Sequence, residues 1–516
     1  MVFSSLEFLF LFLPIVFILY YASPVRLNSL ILLIITVGLF GGSKPLLILA
    51  ALGLIVVDLI CGWYIDKFKA PLFYRNLVLL VVSLAFYGWG EPKYIVLVCI
   101  SVLNDYTCGY FTAKYRETDK RKARYFVIAA VTINLLLLCV FKYGDFAVSN
   151  LRLIPGLSWL QPPGLELPIG ISFYTFQTMS YTIDIYRGEA KVQKNIITFG
   201  SYVALFPQLT AGPIVRYKDI GPQLVEREIS LNMFSKGVRT FICGLAKKVL
   251  LANTAAEMWK NIRGLPGSEM SALTAWMGVI AFTFQIYFDF SGYSDMAIGL
   301  GKMFGFNLLE NFNYPYISKS ITEFWRRWHI SLSTWFREYV YIPLGGNRKG
   351  KAKQYRNLAI VWLLTGLWHG ASWNYVLWGA YFAVILIIEK AFLGKLLERA
   401  PAVVRHAYAL VFIVLGWWLF TFENIGAGFV HLSYMFGAGG GGLADQGAVY
   451  DLLRLLPYFI VFIIGSTPLP KKVYYGVMER FPAASLVSPA IGGGAVLLCV
   501  AFLVNSSYNP FLYFRF

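Results

Sequence analysis

The chain has 516 residues, 58% of them hydrophobic and only 14% charged, with 45 Lys and Arg against 27 Asp and Glu for a formal net charge of +18. That apolar fraction excludes an ordinary soluble globular protein, so nearly the whole chain must lie in lipid. The positive charge does not indicate a nucleic-acid partner, because the basic residues form short loops between apolar runs rather than a groove interleaved with aromatics or a long basic tail.

Apolar segments recur along the chain at about 8–22, 28–42, 46–64, 76–89, 94–112, 126–142, 234–252, 272–288, 357–388, 407–421, 451–466 and 486–505. A crossing needs roughly 20 apolar residues. Several segments are short or interrupted, so the expectation is an all-α polytopic protein with about ten to twelve transmembrane helices plus re-entrant or tilted ones. The start, Met1 to Ser5, lacks a basic n-region, and Ala22-Ser23-Pro24 is a poor cleavage site, which predicts an uncleaved first helix. Basic clusters at 114–124, 348–356 and 471–480 follow the positive-inside pattern. With Arg26 and the Lys67/Lys69/Arg75 loop they set a parity that places both termini outside. The six cysteines, Cys61, Cys99, Cys108, Cys139, Cys243 and Cys499, have no C-x-x-C or other metal-type spacing and read as packing residues, with no metal site.

No internal repeat or disordered linker stands out, which predicts a single membrane-embedded domain over 1–516. Its texture changes between about 160 and 350, where proline- and glycine-rich pieces cut the apolar runs. Irregular backbone at membrane depth requires burial in protein or a water-lined cavity, so the functional core is expected at about 160–380, with a C-terminal tail at 506–516. Asp289 and Asp295 lie in Tyr287-Phe288-Asp289-Phe290-Ser291-Gly292-Tyr293-Ser294-Asp295. Intramembrane carboxylates mark a functional site by default. Equally, they could cap helix ends or pair with arginines.

Histidine occurs only four times. Two of the four, His329 in Trp328-His329-Ile330 and His369 in Trp368-His369-Gly370, sit in aromatic surroundings. A buried imidazole costs free energy unless hydrogen-bonded, and its charge changes near neutral pH, so these two are the candidates for proton chemistry. Each alternatively reads as a core histidine donating to a backbone carbonyl, and His406 and His431, without comparable context, read as structural. Glu323 precedes Arg327 by four positions, an ion-pair spacing, beside Arg326. Arg326 then either satisfies such a pair or contacts substrate.

The stretches PIGISFYTFQTMSYTIDIYRG (168–188), FPQLTAGPIVR (206–216), YFDFSGYSDMAIGLGKMFGF (287–306), NFNYPYISKSITEFWRRWHISLSTWFREYVYIPLGGNR (311–348) and GLWHGASWNYVLWG (366–379) resemble the membrane-bound O-acyltransferase family, in its bacterial, alginate O-acetyltransferase-like branch. The resemblance runs in order along nearly the whole chain. It implies tilted helices around a central tunnel in the bacterial cytoplasmic membrane, an acyl donor entering from the cytoplasm and an acceptor outside. The family's invariant histidine maps to His369 and its second site to His329. The implied partners are an extracytoplasmic acetyltransferase of SGNH-like type and a secreted polysaccharide or cell-wall glycan as acceptor, with acetyl-CoA as a substrate and no permanently bound cofactor.

On this basis His369, beside Asn374, is the expected general base and His329 orients the acceptor or polarises the thioester carbonyl. Arg348 and Lys349, in the loop Gly345 to Lys351, either hold the phosphates of coenzyme A or simply obey the positive-inside rule. The tail Phe511-Leu512-Tyr513-x-x-Phe516 resembles the tail motif of a small partner peptide in the D-alanylation branch of the family, which makes Tyr513 a possible acyl relay; otherwise its aromatics are an interfacial anchor. The alternatives are D-alanyl transfer toward teichoic acid from a carrier protein, and a transporter of acyl donor or glycan.

Overall fold

A computed structural model describes residues 2–21, 71–227, 230–481, 483, 486–505 and 511–512. Among these there are helices, turns and irregular stretches but no strand. Seven helical stretches are long and apolar enough to cross a membrane: Leu72–Gly90, Pro92–Tyr115, Lys120–Leu151, Ala272–Met303, Trp373–Arg399, Ala402–Thr421 and Gln446–Gly465. Shorter apolar helices lie at Phe8–Phe17 and Ser488–Val504. The expected segments 28–42 and 46–64, and Tyr513, lie outside the described residues.

The chain packs as two compact units, one of residues 1–135, 168–210 and 216–230, the other of residues 136–167, 211–215 and 231–516. The first unit is built on α1 (Pro71–Gly90), α2 (Ile95–Tyr115), α3 (from Lys120 to Leu138), α4 (Ile171–Arg187) and α5 (Ile196–Ala204). Asp119 caps the start of α3, its carboxylate accepting from the backbone N–H of Arg121 and Lys122, both at 3.1 Å. The Lys122 bond and charge hold this exposed carboxyl below its ordinary range. Deeper in, buried Asp105 on α2 accepts from Asn134 Nδ2 of α3 at 2.5 Å and Thr182 Oγ1 of α4 at 2.9 Å. A carboxylate in an apolar wall needs such donors, and here they tie three helices together.

The second unit carries α6 (Leu231–Ala246), which continues through the π turn Lys247–Ala252 into α7 (Asn253–Arg263), and the 32-residue α8 (Ala272–Met303). The segment expected as a crossing at 234–252 is therefore not a plain apolar span. Its consecutive lysines 247 and 248 face α8. Gly237 and Gly244 of α6 meet Gly299 and Gly292 of α8, where a Cβ on any of the four would fall 2.5–2.8 Å from a facing backbone atom. Small residues at such a crossing let two backbones touch, the usual device of membrane helix pairs.

Next come α9 (Ile321–Arg327), α10 (Ile330–Phe336), α11 (Lys351–His369), α12 (Trp373–Ile388), α13 (Ala402–Thr421), α14 (Ile425–Met435), α15 (Gln446–Gly465) and α16 (Ser488–Asn505). The run 357–388, read in the sequence as one segment, is a helical hairpin broken after His369. Hydropathy alone cannot reveal the break, because both arms are apolar. The helix ends where Gly370 turns extended, and Gly366 and Gly379 let the two arms, α11 and α12, press together, with a Cβ on Gly366 falling 2.3 Å from the Tyr375 carbonyl oxygen and one on Gly379 falling 2.4 Å from that of Trp362. The core around α9, α12 and α13 is aromatic, with Trp325 4.6 Å from Trp362 and Trp328 4.7 Å from Trp417, centroid to centroid.

Candidate active site

His369 is the last residue of α11, and Gly370 after it is extended. A helix end leaves its final carbonyls without intrahelical donors. Two residues of the π turn Cys139–Tyr143 supply them: Tyr143 donates its hydroxyl to Leu367 O at 2.7 Å, and the buried Lys142 ammonium donates to Trp368 O. A cation at this end also complements the helix dipole. The imidazole of His369 is buried, edge-on to Trp378 at 4.9 Å, Trp368 at 5.1 Å and Phe420 at 5.3 Å.

His329 stands between α9 and α10 with φ +46° and ψ +54°, a left-handed conformation that costs a non-glycine residue on the order of 1–3 kcal/mol. Such strain persists only where the surroundings impose it. Here Asn311 does so: its Oδ1 lies 3.3 Å from His329 Nδ1 and accepts from Ser331 N at 3.1 Å and Ser331 Oγ at 2.9 Å. The His329 ring is buried edge-on to Phe290 at 4.7 Å and 5.9 Å from Trp368. Trp368 thus packs against both imidazoles, and the structure unites the two histidines that the sequence places 40 positions apart.

The helix before His329 is held at its start. Glu389 Oε1 accepts from Ile321 N at 2.7 Å and its Oε2 from Thr322 N at 2.8 Å, while Ser320 caps Glu323 N at 3.0 Å. Arg327 pairs with Glu323 at the expected i,i+4 spacing, 2.9 Å apart, and Arg326 is exposed.

Asp289 and Asp295 lie inside α8 rather than at its ends, and their partners are lysines rather than arginines. Asp295 Oδ2 is 2.6 Å from Lys247 Nζ in a half-exposed pair; Asp289 Oδ1 is 2.5 Å from Lys248 Nζ in a buried one. Neighbouring residues of the same helix turn toward the site: Phe290 touches the His329 ring, and Ser294 Oγ accepts from Asn311 Nδ2 at 3.3 Å. Phe511 seats its ring 4.5 Å from Lys248 Nζ, and Leu512 N donates to Asp289 Oδ2 at 2.7 Å. Asn374 is buried and donates Nδ2 to Phe420 O at 3.0 Å, joining α12 to α13 beneath the His369 ring. Arg348 and Lys349 are exposed, in a loop pinned by Asn357, whose Nδ2 donates to Gly346 O at 3.0 Å. His406 Nδ1 lies 3.1 Å from Ser318 O, and His431 is buried against Trp259 and Phe422.

Lys142, Tyr143, Asn311 and Glu389 escaped the reading from sequence. Only Lys142 left a signal there, a cation closing the apolar run 126–142, which is itself a mark of function or of a buried partner.

Comparison with known proteins identifies the family. Residues 187–426 match the membrane-bound O-acyltransferase (MBOAT) family. The chain is 36% identical to a probable alginate O-acetylase AlgI of Azotobacter vinelandii, with 100% of each chain covered. It is 32% identical to a peptidoglycan O-acetyltransferase of Helicobacter pylori over 76% of this chain and 82% of that one. Identity to a teichoic acid D-alanyltransferase of Streptococcus thermophilus is 31%, over 44% of this chain and 58% of that one. The chain belongs to the membrane-bound O-acyltransferase family and is a multi-pass membrane acyltransferase. Within that family it falls in the alginate O-acetyltransferase-like branch.

Proposed function

We propose that the protein moves an acetyl group from cytosolic acetyl-CoA across a bacterial cytoplasmic membrane to the hydroxyl of an extracytoplasmic acceptor, for O-acetylation of a secreted polysaccharide or cell-wall glycan. The observation that carries this reading is that His369 and His329 both pack against Trp368 in a buried aromatic setting. The names of the Azotobacter and Helicobacter relatives support the acetyl group and the glycan class. In the step itself, His369 takes the acceptor hydroxyl proton as its oxygen attacks the thioester carbonyl. The C–O bond forms, the C–S bond breaks, and the proton passes from the imidazolium to the departing thiolate. His329 orients the acceptor or donates to the carbonyl oxygen. An extracytoplasmic SGNH-like partner would then pass the acetyl group to the glycan.

Purified protein in detergent with acetyl-labelled acetyl-CoA tests the reaction type. Thioester cleavage supports the enzyme; uptake of intact donor into liposomes without cleavage supports a transporter instead.

The exposed basic loop is assigned to the coenzyme A phosphates. Replacing Arg348, Lys349, Lys351 and Lys353 together by glutamine is expected to raise the KM for acetyl-CoA more than it lowers kcat, because distal phosphate contacts hold ground state and transition state alike. Steady-state kinetics check this, and a lowered kcat at unchanged KM would contradict it.

Tyr513 is proposed as an acyl relay between donor and outer acceptor. Its support is the seating of the two preceding residues, Phe511 and Leu512, on Lys248 and Asp289 within the second unit. Tyr513→Phe keeps the ring and removes only the phenolic oxygen that would carry the acyl group, so glycan acetylation should be lost while the protein still inserts. Survival of acetylation in this variant, or absence of acetyl on the C-terminal peptide by mass spectrometry, would end the relay assignment.

A further inference from the structure

The contacts of Asn311 decide a proton position in the candidate site. Its Oδ1 receives the backbone N–H of Ser331 at 3.1 Å, and a backbone N–H can only donate. The atom facing His329 is therefore the amide oxygen and not the NH2 group, which settles the orientation that amide side chains otherwise leave open. Ser331 Oγ agrees: it accepts from Ile214 N at 3.0 Å, which leaves its own proton for Asn311 at 2.9 Å. An oxygen 3.3 Å from His329 Nδ1 requires a proton on Nδ1. In the neutral ring the lone pair then belongs to Nε2.

We propose that Asn311 is a positioning residue for the reaction, which holds His329 in the Nδ1–H tautomer and in its left-handed backbone conformation, so that Nε2 is the nitrogen offered to the reacting groups. This rests on the reading of His329 as a participant in acyl transfer. The same amide oxygen serves both ends of the strained residue: it takes the ring proton of His329 and the N–H and hydroxyl of Ser331, two positions on. Asn311 O also accepts from Ile330 N at 3.0 Å, so the turn that carries the imidazole is bound to one side chain and one carbonyl of a single residue. Asn311 in turn is fixed to α8 through Ser294. The device resembles the hydrogen-bond partners that set histidine tautomers in metal sites, with an amide oxygen in place of a carboxylate.

Full-length protein labelled with 15N-histidine in detergent micelles provides the test, because only four histidines contribute signals and His329→Gln identifies one of them. In the wild type the His329 signals should be those of a protonated Nδ1 and an unprotonated Nε2. Asn311→Ala should release the ring to the Nε2–H form or a mixture, and Asn311→Asp, whose oxygen still accepts, should restore the Nδ1–H form. Turnover of labelled acetyl-CoA should fall by up to about a hundredfold in Asn311→Ala, mostly in kcat, and recover at least partly in Asn311→Asp. A wild-type His329 protonated on Nε2, or an Asn311→Ala protein with unchanged tautomer, would overturn the proposal whatever the kinetics. Should the tautomers follow expectation while His329→Ala turns over normally, the participation of His329 fails, and the positioning role falls with it for that separate reason. The signals of His369, His406 and His431 report whether each variant is folded.

Discussion

His369→Ala is expected to lose at least about a hundredfold in thioester turnover, the loss that follows from removing general-base help alone, while the protein inserts and folds. The variant removes the one imidazole set at the end of α11 against Trp368, Trp378 and Phe420, and leaves the carbonyls of Leu367 and Trp368 in the hands of Tyr143 and Lys142. The helix end therefore keeps its anchors when the ring is lost. His329→Ala should also be impaired. His406→Ala should stay near wild type, since that ring is half-buried and bonded only to a backbone carbonyl at Ser318 among its described hydrogen bonds. Turnover of labelled acetyl-CoA, with elution as a monodisperse detergent complex as the folding control, checks all three. A His369→Ala rate within a few-fold of wild type would refute the base assignment.

Asp289→Ala should produce the largest stability loss among the acidic residues of α8. It removes the carboxylate that pairs with the buried Lys248 ammonium, and removing one partner of a buried pair costs about 3–5 kcal/mol. It also removes the acceptor for Leu512 N, so the 511–512 segment should loosen. Asp295→Ala breaks a pair that is partly exposed and should cost less than Asp289→Ala. Replacing both partners, Lys248→Met with Asp289→Leu, should recover much of the loss, because no uncompensated charge remains. Thermal unfolding in one detergent separates these cases. Equal destabilisation by Asp289→Ala and Asp295→Ala would contradict the burial argument.

Composition alone reveals the fold class, because a chain this apolar has few other places to go. His329 and His369 are visible because histidine is rare here and both lie in long recognisable stretches. What the sequence conceals is mostly a matter of pairing across distance. Lys247 and Lys248 read as ordinary basic residues until α6 is laid against α8 through Gly237, Gly244, Gly292 and Gly299, and only then do they become the partners of Asp295 and Asp289. The break after His369 is hidden for a related reason: the hairpin depends on Gly366 and Gly379 meeting each other's backbones, and neither interrupts the apolar run. Asn311 and Glu389 act on elements 18 and 68 residues away, at His329 and Ile321, beyond the reach of any local pattern. Glu323 with Arg327 was legible because its partners sit one helical turn apart.

Proteoliposomes with acetyl-labelled acetyl-CoA confined to the face bearing the 348–356 loop, and a polysaccharide acceptor with the proposed SGNH-like partner confined to the other, test the central claim most directly. The account predicts labelled acetyl esters on the acceptor, free coenzyme A on the donor side, and loss of both products in His369→Ala. Label that crosses only as intact acetyl-CoA, or acceptor acetylation undiminished in His369→Ala, would contradict it.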